Sequence, residues 1–532
     1  MNPRVVAVTL ACLACQVSPA EAARKPKEPA TLAELAHRSA PLQPGEPVIA
    51  DVALAALSYE DFLRIPETDP LLRAQALRRL GDLRLAQAEE LRAQDGAAGE
   101  TAAGLTRQAI AAYERLLAEQ PQASGVDVAL YQLSRAHESL GESERALARL
   151  DALAAGHRDS THYAEAQFRR GEVFFSAQRY ADAERAYQAV LAAGTDTGFR
   201  QQARYKLGWS YFKQSLDDQS NAAFLDLLDE LLVEQGKLRP TGSLSRAEQE
   251  LTDDALRALA ITFAAAEGPS SLQSALDRRG AAPYEARVYR ALGDLFVEKE
   301  RYQDAAGSYR AYARRQPLDP EAALLLVRAT EAYGKGGFAS LVLDGKRELV
   351  ENYGPRSEFW AVYTPDIDPA VSVAVQTTLL DLARHHHALA QQSGSAAERA
   401  AAIRWYRDYL EGFDATPDAP ATRLMLADLL FEGASYEEAA AEYERAAYGY
   451  PVGPQSGRAG YAALVAFEKA EAAAPVPARA GLRQRATESS LRFADMFPEA
   501  PEVPAVLART ARVLFDAGDR ELIERRVQAP VS

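Results

Sequence analysis

His385, His386 and His387 form the most conspicuous run of titratable side chains, and a histidine cluster is the first place to look for metal or acid–base chemistry. Consecutive helical residues point about 100° apart, so the three cannot hold one ion together. The i, i+4 pairing of H-E-x-x-H is absent. His386 is expected in the aromatic slot of its helix, with a neighbour in solvent. His157 and His162 flank the loop Arg158–Thr161 and have no third ligand nearby in sequence. Gly334-Lys335-Gly336-Gly337 has the composition of a phosphate loop without its spacing, and reads as a turn between two helices. Neither G-x-S-x-G nor G-x-x-x-x-G-K-[ST] occurs. The abundant carboxylates read as solvated helix faces and i, i+4 pairs. No catalytic residue, no cofactor site and no metal site is nominated.

The elements that carry these residues are paired helices. Tyr284 to Pro317 reads as two helices joined by a tight turn. Leu292, Gly293 and Phe296 lie on one face of the first, and Ala305, Tyr309 and Tyr312 on one face of the second. Small residues stand where the helices must approach closely, large ones fill the space beside them, and Pro317 ends the second helix. A hairpin this small cannot bury its apolar face alone, so it implies neighbours of its own kind.

The small residue of the first helix recurs at Gly81, Ser134, Gly171, Gly208, Ala260, Gly293, Ala329, Ala383 and Ala427. Ser134, Gly171 and Gly208 are each 37 residues apart. Longer steps contain insertions: the Gly-rich stretch near 93–104, Gly236–Ser245, and Arg356–Pro369 with its rings Phe359, Trp360 and Tyr363. Those rings read either as a second contact loop or as a plug on the edge of the stack. From Arg423 to Pro451, seven signature positions repeat those of the Gly293 unit at one offset of 134, among them Ala427 for Gly293 and Tyr443 for Tyr309. The last units, from about Gly457 to Glu524, keep the rhythm and lose the signature, as terminal repeats do.

With 532 residues the chain exceeds one compact core, but a stacked array has no such limit. The net charge of −15 argues against a nucleic-acid backbone or an anionic membrane as the main partner, since both need a basic footprint, and leaves room for a local basic patch. Val/Ile/Thr runs of period two are scarce, so strands are not expected. Beyond the first two dozen residues no apolar run approaches the roughly 18 needed to span a bilayer. At the N-terminus Arg4 precedes an apolar run from Val5 to Cys15, then Ala20-Glu21-Ala22, the pattern of a secretory signal peptide over 1–22. Cleavage there leaves no cysteine in the mature chain; the rival reading makes Cys15 a lipidated first residue. Residues 23–50 read as a Pro-rich, charged spacer. The array is read in three parts: 51–235, 236–355 followed by the aromatic insertion 356–369, and 370–532 with its cap.

The units resemble the tetratricopeptide repeat, with small residues at its eighth and twentieth positions, an aromatic at the eleventh or twenty-fourth, and proline at the thirty-second. The resemblance covers roughly Asp51 to Glu524, and the 37-residue step departs from the usual 34. With the export signal, the whole is similar to repeat proteins of the bacterial envelope and periplasm. The resemblance implies an all-α, right-handed solenoid whose first helices line a concave groove. Carried over by position, the groove residues are Tyr131 and Arg135; Phe168, Glu172 and Phe175; and Tyr205, Trp209 and Phe212. It further implies a non-enzymatic scaffold that holds envelope proteins or peptides. The alternatives are a structural part of a motility or secretion machine, and an accessory to a polysaccharide or peptidoglycan enzyme.

Overall fold

The structure is a computed structural model that describes residues 51–94, 99–194, 198–364 and 367–516. The signal segment, the spacer and Cys15 lie outside the described residues. The chain divides into two compact units, Met1–Ala123 and Ser124–Ser532. In the first, α1 (Val52–Leu63), α2 (Pro70–Gln94) and α3 (Gly99–Glu119) follow one another.

The second unit is a succession of helix pairs. They are α4 (Val126–Ser139) with α5 (Ser143–Gly156), α6 (Tyr163–Ser176) with α7 (Tyr180–Ala192), and α8 (Arg200–Lys213) with α9 (Asp217–Leu232). Then come α10 (Arg246–Ala265) with α11 (Pro269–Arg279), α12 (Glu285–Glu298) with α13 (Tyr302–Arg315), and α14 (Pro320–Lys335) with α15 (Ala339–Tyr353). A short α16 (Glu358–Tyr363) precedes α17 (Pro369–Ser393) with α18 (Ala396–Phe413) and α19 (Ala419–Glu432) with α20 (Tyr436–Tyr448). The described chain ends with α21 (Ser456–Ala473), α22 (Val476–Met496) and α23 (Val503–Asp516). The fold is an all-α stack of hairpins.

One turn geometry joins most pairs. Gly141, Gln178, Ser215, Glu300, Gly337 and Ala434 all have positive φ, between 57° and 76°. In each case the next residue donates its N–H to a carbonyl five residues back, as Arg179 does to Phe174 at 2.8 Å and Arg301 to Phe296 at 2.8 Å. This satisfies carbonyls that a helix end would otherwise leave bare. The turn tolerates non-glycine residues because the packed helices on either side over-determine it.

Within a pair, glycine sets the distance. A Cβ built on Gly171 would lie 2.4 Å from the Tyr187 ring, and one on Gly293 would lie 2.2 Å from Tyr309. Neither contact is possible for a real side chain, so only glycine lets the ring lie flat against the first helix. The same close approach recurs at Gly208 against Phe224, 2.8 Å, and in the first unit at Gly81 against Tyr113, 2.5 Å.

The tyrosine ring then reaches the residue after the small one. Tyr113 donates its hydroxyl to Asp82 at 2.7 Å, Tyr309 to Asp294 at 2.6 Å, Tyr187 to Glu172 and Tyr443 to Asp428. A small residue followed by an acid on one helix is thus latched by a tyrosine on its partner. Burial first, and the carboxylate second, push the Tyr187, Tyr309 and Tyr443 hydroxyls above the ordinary tyrosine pKa.

The pairs stack through a continuous apolar core running from Phe224 to Phe467, and a smaller cluster from Ala164 to Leu207. The expectation of no strands needs one correction. The insertion after α9 forms a two-stranded hairpin, β1 (Val233–Glu234) and β2 (Lys237–Leu238), with Val233 opposite Leu238. Gln235 and Gly236 both have positive φ, at 52° and 77°, which a two-residue hairpin loop requires and which strand periodicity over so few residues does not reveal. The insertion at 356–369 is a plug: Phe359 is 1% exposed against Tyr353 and Tyr363, and Trp360 packs edge-on against Phe413 at 5.3 Å.

Candidate partner-binding face

The first helices α4, α6 and α8 carry the eight predicted groove residues in three rows. Three residues before the small position stand Tyr131, Phe168 and Tyr205, and these rings bind one hairpin to the next. Tyr131 lies flat on His162 (4.3 Å, 5°) and donates its hydroxyl to Glu165 at 2.6 Å. Phe168 stacks on Phe199 at 5.3 Å, and Tyr205 donates to Asp254 of α10 at 3.2 Å. The partner rings His162 and Phe199 both immediately precede the next first helix, so the row is mortar between units.

The residue after the small position is Arg135, Glu172 or Trp209. Arg135 is half-buried and reaches Gln132 at 3.4 Å. Glu172 accepts the Tyr187 hydroxyl and a 3.0 Å ion pair from Lys206 of α8. Trp209 is half-buried, edge-on to Phe224 at 5.7 Å and to Phe212 at 5.3 Å. One turn further, Phe175 meets Tyr180 edge-on at 5.3 Å, and the Lys206 ammonium stands 5.5 Å from the Phe175 ring centre. The structure therefore gathers Glu172 and Phe175 around Lys206, and Tyr205, Trp209 and Phe212 into one aromatic cluster on α8. Tyr131 and Arg135 lie apart from it on α4.

The sequence reading missed the cations. Arg169 and Lys206 are 37 residues apart, and both tie adjacent first helices: Arg169 to Glu138 at 3.1 Å, Lys206 to Glu172. Their equal register within two units was the available signal. Lys213, at the end of the same α8 face, is exposed.

Comparing the repeats with one another singles out Trp209. Asp82, Glu172, Asp294 and Asp428 fill its slot in other units, each held by a tyrosine hydroxyl. In the Gly208 unit the second-helix ring is Phe224, which has no hydroxyl, and the acid is replaced by tryptophan. Loss of the latch and gain of the large ring occur together, in the unit flanked by Phe175, Phe212 and Lys206.

The remaining polar features are structural. His386 is buried with Nδ1 2.6 Å from Glu398, His387 meets the Tyr406 hydroxyl at 3.1 Å, and His385 is exposed, three directions as helical geometry requires. Gly334–Gly337 is the end of α14, with Gly337 at the positive-φ turn. Among the described residues no group of three or more His, Cys, Asp or Glu is placed to hold a metal ion.

The sequence pattern described as tetratricopeptide repeat matches residues 131–197, 174–236, 243–320 and 290–332. Those stretches of the chain carry tetratricopeptide repeats. These matched repeats include α6, α8 and α12, the helices with the clearest small residue and aromatic partner. No curated protein sequence matches the chain. Among solved structures, it is similar to the tetratricopeptide-repeat domain of P58(IPK), at 13% identity over 82% of this chain and 99% of that one, with a TM-score of 0.20. A repeat-containing protein from Cytophaga hutchinsonii matches at 12% identity over 51% and 93%, with a TM-score of 0.29. A tetratricopeptide repeat protein from Parabacteroides merdae matches at 10% over 56% and 98%, with a TM-score of 0.26.

Proposed function

We propose that this chain is a non-enzymatic scaffold of the bacterial cell envelope that holds partner proteins on the first-helix face of α6 and α8. The observation that carries the reading is the cluster of Tyr205, Trp209 and Phe212, with Trp209 in a slot that other repeats fill with a latched carboxylate. Half-buried aromatics on a rigid face are effective anchors, because they offer large area at little entropic cost. Export rests on the N-terminal pattern of Arg4, the apolar run and Ala20-Glu21-Ala22. Among the described residues no helix is long and apolar enough to cross a membrane. The rings of the 356–369 insertion pack against α15 and α18, which disfavours them as a second contact loop.

The test compares pulldowns from envelope extracts with wild-type chain and with Phe175→Ala plus Trp209→Ala, both checked for unchanged helix content. Losing two anchors of about 2 kcal/mol each should cut recovery of the cognate partner by at least thirtyfold. Equal recovery of every partner removes this face as the site.

A further inference from the structure

The aromatic row changes character further along the stack. The slot that holds Tyr131, Phe168 and Tyr205 is occupied by Arg257 on α10 and by Arg290 on α12, each three residues before its small residue. Arg287 lies one turn before Arg290, and α10 packs directly on α12. Tyr205 already touches this surface through Asp254, one turn before Arg257. The arginine row is therefore continuous with the aromatic one, with Asp253, Asp254 and Glu321 beside it.

These arginines differ from most in the chain, which bind carboxylates of neighbouring helices. Among the described residues the exposed Arg257 makes no hydrogen bond or ion pair. The half-buried Arg287 makes none through its side chain; Asp253 and Glu321 are within electrostatic reach without closing on it. Arg290 has one long ion pair, 3.8 Å to Glu321. Burial first, and then the adjacent Arg290 charge, hold the Arg287 guanidinium below its ordinary pKa in spite of those two carboxylates. The fold opposes this charge, so a further anion at Arg287 would be favoured.

We propose that Arg257, Arg287 and Arg290 receive carboxylate side chains of an acidic partner segment whose apolar anchor sits on the Trp209 cluster. This rests on the scaffold reading and names the chemistry of the partner. Guanidinium groups suit carboxylates because the planar fork donates two parallel hydrogen bonds. Neighbouring first helices lie about 10 Å apart. An extended chain advances about 3.3 Å per residue, so the acids should be spaced about three residues apart. An acidic occupant also explains how a chain of net charge −15 can leave the Arg257 and Arg287 side chains without a bonded carboxylate: they admit acidic segments there that the rest of the surface repels.

The experiment measures fluorescence anisotropy of fluorescein-labelled decaglutamate with the purified full chain at low salt. Saturable binding is expected, weakened at least tenfold by Arg257→Gln, Arg287→Gln and Arg290→Gln together, and unchanged by Arg158→Gln plus Arg185→Gln elsewhere on the surface. Binding should fade as salt screens it. No saturable binding, or equal binding by the triple variant, overturns the proposal, and so does tighter binding of a labelled single-stranded oligonucleotide than of decaglutamate. Trp209→Ala should leave decaglutamate binding intact. A failure here with the pulldown result standing thus rejects only the acidic-partner inference, and the reverse rejects the aromatic anchor.

Discussion

Replacing Tyr309 with alanine should destabilise the repeats around α12 and α13 by about 4 kcal/mol, read as a shift in the denaturant midpoint and faster local amide exchange. The ring is 2% exposed and fills the space that Gly293 leaves open, so its removal creates a cavity that the helices cannot close without moving. Tyr309→Phe keeps the ring and loses only the hydroxyl. Because the Asp294 carboxylate is 47% exposed and can turn to water, that loss should amount to about 1 kcal/mol. A fourfold difference between the two variants separates packing from the hydrogen bond. The pH dependence follows from the raised Tyr309 pKa, caused by burial first and Asp294 second. A phenol whose folded pKa is raised supports the fold fully below its unfolded value, about 10, and withdraws that support as pH climbs further. Wild type should therefore lose more stability than Tyr309→Phe above about pH 10.

Arg423→Met should cost about 3 kcal/mol or more. The side chain is 9% exposed and binds Glu442 at 2.6 Å, Asp414 at 2.6 Å and the Tyr450 hydroxyl at 2.8 Å. Glu442 is itself only 15% exposed, and in the variant it keeps only the solvent-facing Arg445, at 2.9 Å, as a cationic partner. Methionine retains much of the volume, which isolates the charge effect. Burial alone would raise the Asp414 pKa, but hydrogen bonds from Tyr450 and Arg423 outweigh it and hold the group below the ordinary value. A lowered carboxylate stabilises the fold above its unfolded pKa of about 3.9, and that contribution vanishes as pH falls through the folded value. The penalty of Arg423→Met should thus shrink on acidification from neutral pH to about 3. An unchanged penalty over that range would reject the network.

Much of this architecture was legible in the residues. The small residue, the aromatic one helix later and the terminal proline are local requirements of a packed hairpin, and Gly293, Tyr309 and Pro317 show them within one unit. The latch was legible too, since an acid follows Gly293 and Ala427 and a tyrosine follows each acid by 15 positions. What escaped the reading depends on neighbours. Tyr131 and Phe168 occupy a slot that faces the following unit, and their partners His162 and Phe199 sit just before helices whose start depends on loop length. For the rings of the 356–369 insertion the residues left contact loop and plug both open, because nothing local says that α18 lies beneath them. The arginines of α10 and α12 read as ordinary helix surface until their register with the aromatic row is compared unit by unit.

The claim on which the rest depends is that the α8 face touches another protein. A photoreactive benzoylphenylalanine placed at position 213, beside the aromatic cluster, and separately at position 185 on the second helix α7, measures this in cells expressing the full chain. The account predicts a discrete crosslinked species from position 213 that is absent from position 185 and disappears with Trp209→Ala. Identical crosslinking from both positions, or none from 213, would contradict it.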